Sequence, residues 1–226
     1  MKILFAEWAS YGRNDLKEAF IAEGHSLVCF PFSIDLSRLH NDPETEHTLS
    51  EVLHREVPDI VFSVAYFVII SKVCQREDIK YVSWTYDNPH VMLYSRTVSN
   101  PCNVICVFDK TMYLQFHKAG ISTVRYLPLA ANTNRLDQME QGEKLPYLYN
   151  VSMVGALYTE VHKFFDRMKD LPDYARGYLD ALMAAQMKVQ GYNFIQESLE
   201  PVMDALYQAL PLEPNPDGAE TKEYLY

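Results

Sequence analysis

Apolar residues follow two spacings along this chain, and the two alternate. Near-continuous apolar runs at residues 2–6, 26–30, 59–64, 80–85, 104–108 and 123–127 predict six strands. Between them lie stretches of helical character. Leu16, Ala19, Phe20 and Glu23 recur at three-and-four spacing within 14–23, and helices are also predicted over 44–56, 67–77 and 110–119. Gly24 and Gly120 stop the first and last of these helices, and Pro58 separates the second from the next strand. The runs 60–64 and 104–108 are apolar at nearly every position, as in strands covered on both faces. The alternation therefore predicts an α/β fold over 1–132: a Rossmann-like, doubly wound parallel sheet with helices on both sides.

The pattern then breaks. Residues 133–149 include Gln138, Glu140, Gln141, Gly142, Glu143, Lys144 and Pro146, a polar composition that reads as a linker. After it, 150–154 reads as a strand meeting Gly155, followed by a helix over 160–169. Residues 174–210 are helix-rich, broken by Gly191 and Pro201, with no further strand. The segment 150–226 thus reads as the helix-rich start of a second α/β domain. Because 219–226 regains helical propensity and ends without a cap, the chain is expected to stop inside that domain; the alternative is a tail that packs on it.

Charge and composition narrow the partners. With 30 acidic against 20 basic residues the net charge is -10, which argues against a broad nucleic-acid surface, because phosphates need clustered Lys and Arg. The opening MKILFAEWASYG has no signal-peptide cleavage site, and no stretch is long enough to span a bilayer. Cys29, Cys74, Cys102 and Cys106 form no CxxC pair, so reduced core thiols in a cytoplasmic protein are expected. His40, His47 and His54 recur every seventh residue, too far apart along a helix to share a metal, and read as a solvated face. HExxH, Walker and GxSxG motifs are missing, which removes the common zinc-protease, nucleotide-hydrolase and α/β-hydrolase readings.

In open parallel sheets, ligands bind just past the carboxyl ends of the strands. There the sequence places Glu7, Trp8, Tyr11, Tyr66, Tyr86, Asp87, His90, Asp109 and Asn132. Aromatic rings, carboxylates and amides together suit a polyhydroxylated ligand, through stacking and directed hydrogen bonds. A dinucleotide cofactor is not expected, because the turn from Glu7 to Gly12 lacks GxGxxG. Asp87, in the loop Tyr86-Asp87-Asn88-Pro89-His90, could deprotonate a hydroxyl or simply cap the helix predicted near Val91. His90 could bind a ligand or sit at the helix entry, Glu7 could bind a hydroxyl or be solvated, and Asp109 reads as a helix cap. In the second domain, Gly155 and the nearby Tyr158 mark a turn where bare backbone could approach a phosphate or sugar, or a plain strand end.

Several segments carry a family resemblance: MKILF, AEGH, YVSWTYDNPH, VFDKTMYLQFHKAGI, YLPLAANTNRLD, VSMVGALYTEVHKFFDRM and LPDYARGYLDALMAAQMKVQGYNFI. Together they resemble the bacterial glycosyltransferase-like family of spore-maturation protein CgeB. The resemblance implies a GT-B architecture, with the acceptor held by a first Rossmann-like domain and a nucleotide-sugar donor by a second. It implies sugar transfer to a hydroxyl acceptor without an obligatory metal or other cofactor. Asp87 or His90 would be the base of an inverting reaction, with Glu7, Trp8, Tyr11, Tyr66, Tyr86 and Asn132 toward the acceptor. Gly155 and Tyr158 would face the donor, and most donor contacts would lie past Tyr226. A reading from another class also stands: a non-catalytic α/β module that binds carbohydrate or a protein partner.

Overall fold

The computed structural model describes residues 1–33, 38–140, 149–155 and 170–209. Six strands, β1 (Lys2–Glu7), β2 (Ser26–Pro31), β3 (Ile60–Val64), β4 (Lys80–Thr85), β5 (Asn103–Val107) and β6 (Val124–Tyr126), form one sheet. Their order is β2-β1-β3-β4-β5-β6, and every neighbouring pair is parallel. Four helices join them: α1 (Arg13–Ala22), α2 (Pro43–Glu56), α3 (Val68–Arg76) and α4 (Lys110–Lys118). The predicted Rossmann-like, doubly wound α/β fold is thus present. The chain steps from β1 outward to β2, then crosses back over β1 to β3, so the winding reverses between β1 and β3.

Local chemistry accounts for where the helices begin and end. Pro43 opens α2, with Asp42 as its cap accepting the Thr45 N–H at 3.2 Å. Asp109 caps α4 as predicted, accepting the Met112 N–H at 2.7 Å. Gly24 and Gly120 end α1 and α4 with φ of 79° and 81°, in the left-handed region that a Cβ disfavours.

The two faces of the sheet are covered unequally. On one, α2, α3 and α4 bury Leu49, Leu53, Ile70, Val73, Met112 and Phe116 against Leu4, Val61, Tyr81, Ile105 and Val107. On the other, α1 sets Leu16 and Phe20 against Ile3, Phe5, Phe62 and Val64. Phe20 meets Phe62 edge-on at 5.0 Å, yet no residue of α1 is itself buried. Successive strand residues point to opposite faces, so Val82, Trp84 and Tyr86 join the thinly covered side, where each is half-buried.

Three expectations change. The predicted linker contains a helix, α5 (Thr133–Glu140), started by Asn132, whose side-chain oxygen accepts the Arg135 N–H at 3.1 Å. Its polar composition is that of a short solvated helix. Residues 150–154 are not a strand: Tyr149, Val151, Met153 and Val154 are all exposed, so neither packing nor a neighbouring strand among the described residues supports extended pairing. Cys29 is exposed, not a core thiol, because β2 is an edge strand; Cys74 and Cys102 are buried, and all four cysteines are unpaired. The predicted helix at 160–169 lies outside the described residues.

The described residues fall into two compact units, split within 141–148. The second is helical in the described residues, with α6 (Asp173–Gln186) and α7 (Met203–Ala209). α6 buries Ala175, Leu179 and Leu182, one stripe of the helix, and α7 buries Met203, Ala205 and Leu206. No helix among the described residues is long and apolar enough to cross a membrane.

Candidate ligand site

A cavity of about 790 Å³ lies on the thinly covered face of the first unit. Its floor is formed by Val64 and Trp84 at the ends of β3 and β4, and Tyr86 follows them at the carboxyl edge. One wall is the stripe of α1 that carries Asp15, Glu18, Ala19, Ala22 and Glu23. The opposite wall is the backbone from Leu129 to Asn134, leading into α5, and Tyr11 with Gly12 closes the end nearest β1. The cavity thus touches β3 at the reversal of winding, where open α/β sheets receive ligands.

Five residue pairs fix its shape. The Tyr11 N–H donates to the Tyr86 hydroxyl oxygen at 3.3 Å. Burial pushes the Tyr86 phenol up, so the hydroxyl keeps its proton and can donate. The Trp84 indole N–H donates to the Leu127 carbonyl at 3.2 Å, which fixes the ring at the floor. Asn132 donates its amide to both Asp15, at 2.9 Å, and Glu18, at 3.2 Å. Arg135 adds a fork to the Asp15 carboxylate at 2.9 and 3.1 Å, and these bonds hold that carboxyl below its usual range. The wall formed by 129–134 is thereby tied to α1.

Of the eight sequence-predicted residues in this unit, the structure brings Tyr11, Tyr86 and Asn132 to the cavity and leaves five out. Glu7 turns into an ion-pair cluster with Lys17 at 2.8 Å and Arg13 at 3.6 Å, and its carboxyl is held low chiefly by the Lys17 hydrogen bond. Trp8 gives its indole N–H to the Val64 carbonyl at 2.6 Å and packs edge-on to Phe67, so its half-buried ring lies against the core and away from the cavity. Tyr66 is fully buried, stacked on Tyr81, with its hydroxyl donating to Thr97 at 2.8 Å; burial pushes its pKa to about 12.

His90 is also buried, and its Nε2 lies against the Tyr66 backbone, 3.3 Å from the N–H that donates to it and 3.0 Å from the carbonyl oxygen. Burial lowers its pKa, which favours the neutral ring. Asp87 is exposed, makes no hydrogen bond among the described residues and does not line the cavity. The turn at Val91–Tyr94 has His90, not Asp87, at its cap position, and no side chain caps it. Gly155 belongs to the second unit, in exposed irregular backbone, and Tyr158 lies outside the described residues.

Trp84, Asp15 and Glu18 are cavity residues absent from the sequence-predicted set. Trp84 was legible, since it stands two residues before Tyr86 on one strand and must share its face. The solvated-histidine reading holds for His47 and His54, which are exposed and pair with Glu51 and Glu77, but not for His40, which is half-buried. Among the described residues no three His, Cys, Asp or Glu side chains group as metal ligands. Comparison with protein-family models, curated proteins and solved structures finds no match to this chain.

Proposed function

We propose that the first unit is the acceptor-side domain of a glycosyltransferase and that its cavity holds a hydroxyl-bearing sugar acceptor. The observation that carries this reading is the lining: Tyr11, Trp84 and Tyr86 offer aromatic faces, while Asn132, Glu18 and the Tyr86 hydroxyl offer directed polar atoms. Aromatic rings stack on the apolar faces of sugars, and amides and carboxylates bond their hydroxyls. The volume falls in the range of about 300–1,000 Å³ usual for small-molecule sites. In this reading a nucleotide-sugar donor belongs to the second unit, and of the two proposed bases only the exposed Asp87 remains open to a ligand. The four unpaired cysteines accord with a reducing, cytoplasmic setting.

A second reading has its own support. Neither Asp87 nor His90 lines the cavity, which accords with a module that binds carbohydrate without transferring it. Calorimetric titration with a panel of oligosaccharides tests the site: Tyr86→Ala and Tyr11→Ala are expected to weaken binding about fivefold each, from loss of stacking worth roughly 1 kcal/mol. A panel in which no sugar binds removes the carbohydrate reading. Incubation with nucleotide sugars and a bound oligosaccharide then separates the two readings, since transfer supports the enzyme and binding alone the module. Transfer that survives Asp87→Asn removes Asp87 as base.

A further inference from the structure

Resting on the reading of the cavity as a sugar site, we infer that it selects a cationic acceptor, an amine-bearing sugar, and rejects phosphorylated or acidic ones. Every ionisable carboxyl or cationic side chain among its described lining residues is acidic: Asp15, Glu18 and Glu23. Arg135 offsets Asp15 through its two-pronged bond, and Glu18 receives only a neutral amide from Asn132, so two negative charges are left uncompensated along the wall.

α1 lines the cavity from its N-cap Gly12 to its C-cap Glu23, so its dipole favours neither charge and the bias comes from its carboxylates, with no basic residue in its last turn. The rings of Tyr11, Trp84 and Tyr86 act in the same sense, because an aromatic face carries negative electrostatic potential and attracts cations as well as sugar C–H groups. An amine-bearing sugar satisfies all three features at once: its ammonium faces the α1 carboxylates, its ring lies on an aromatic face, and its hydroxyls meet Asn132 and Tyr86. The same field excludes a nucleoside diphosphate from this cavity, which assigns the anionic half of any donor to another surface.

Three tetrasaccharides of equal length test this by calorimetry on the 226-residue chain, in slightly acid, low-salt buffer where amines are charged and screening is weak. They are a glucosamine tetramer, its N-acetylated counterpart and a galacturonate tetramer. The glucosamine tetramer is expected to bind at least about tenfold more tightly than the acetylated one, with no binding of the galacturonate. Glu23→Gln, at the exposed C-terminal cap of α1, is expected to reduce that advantage while sparing the acetylated sugar.

Equal affinity for the amine and acetyl forms, both lost on Tyr11→Ala, overturns the charge preference and leaves the acceptor site standing. Tight binding of the glucosamine tetramer that Tyr11→Ala and Tyr86→Ala leave untouched also overturns it, because the attraction then comes from the overall negative charge of the protein. Failure of all three sugars to bind sinks the acceptor-site reading together with this one.

Discussion

Val57 closes α2 with φ of 45° and stands 74% exposed. A β-branched residue in the left-handed region carries steric strain of roughly 1–2 kcal/mol, and an exposed side chain loses little burial when removed. Val57→Gly is therefore expected to stabilise the protein by about 1 kcal/mol, read as a higher urea midpoint at unchanged slope. A lower midpoint would show that the turn is unstrained. His90 makes a different kind of contribution. Its folded pKa lies below that of the unfolded chain, so the unfolded state takes up the proton first as pH falls. Its stabilisation is complete above the ordinary histidine value of about 6.5 and is lost as pH drops through that value toward the folded pKa. In His90→Gln, whose side-chain amide can still bond the Tyr66 backbone, the fall in stability over this window is expected to be shallower. Parallel curves of unfolding free energy against pH for the two proteins would show that the ring does not titrate on unfolding.

At the scale of elements, α5 is held to α1 by polar contacts, Arg135 and Asn132 on one side and Asp15 and Glu18 on the other. Arg135→Gln is expected to speed amide hydrogen exchange across 133–140 while leaving β1 and β3 protected; equal exchange in both proteins would mean the ion pair does not hold the helix. This contact also shows where sequence reasoning runs out. The strands and first four helices were legible to within one residue, because apolar period and capping residues such as Asp109 act locally. The bond from Asn132 to Asp15 spans 117 positions, and nothing in the local pattern of either residue announces it. Position past a strand end likewise says nothing about direction. Trp8 turns inward to the Val64 carbonyl, and Tyr66 follows Ala65, whose φ of 65° redirects the chain into the core. The expected strand at 150–154 failed for the complementary reason: alternating apolar residues make a strand only when something covers them.

Across the whole molecule, both hydrophobic clusters of the sheet take all their buried residues from between Ile3 and Val124. Residues 1–142 made alone are therefore expected to unfold in one cooperative transition, followed by circular dichroism; a broad, non-cooperative melt would show that the sheet depends on residues after 142. The unequal covering of the sheet has an optical consequence. The chain holds two tryptophans, and they stand on opposite faces: Trp8 is packed against the thick side, whereas Trp84 forms the cavity floor. Both rings are half-buried, and under ultraviolet excitation one emits from beside the thick-side core and the other from the place where a ligand would lie. With Trp8→Phe, a single fluorophore remains at that floor, and its emission wavelength and access to quenchers become a direct gauge of how wet or how filled the cavity is.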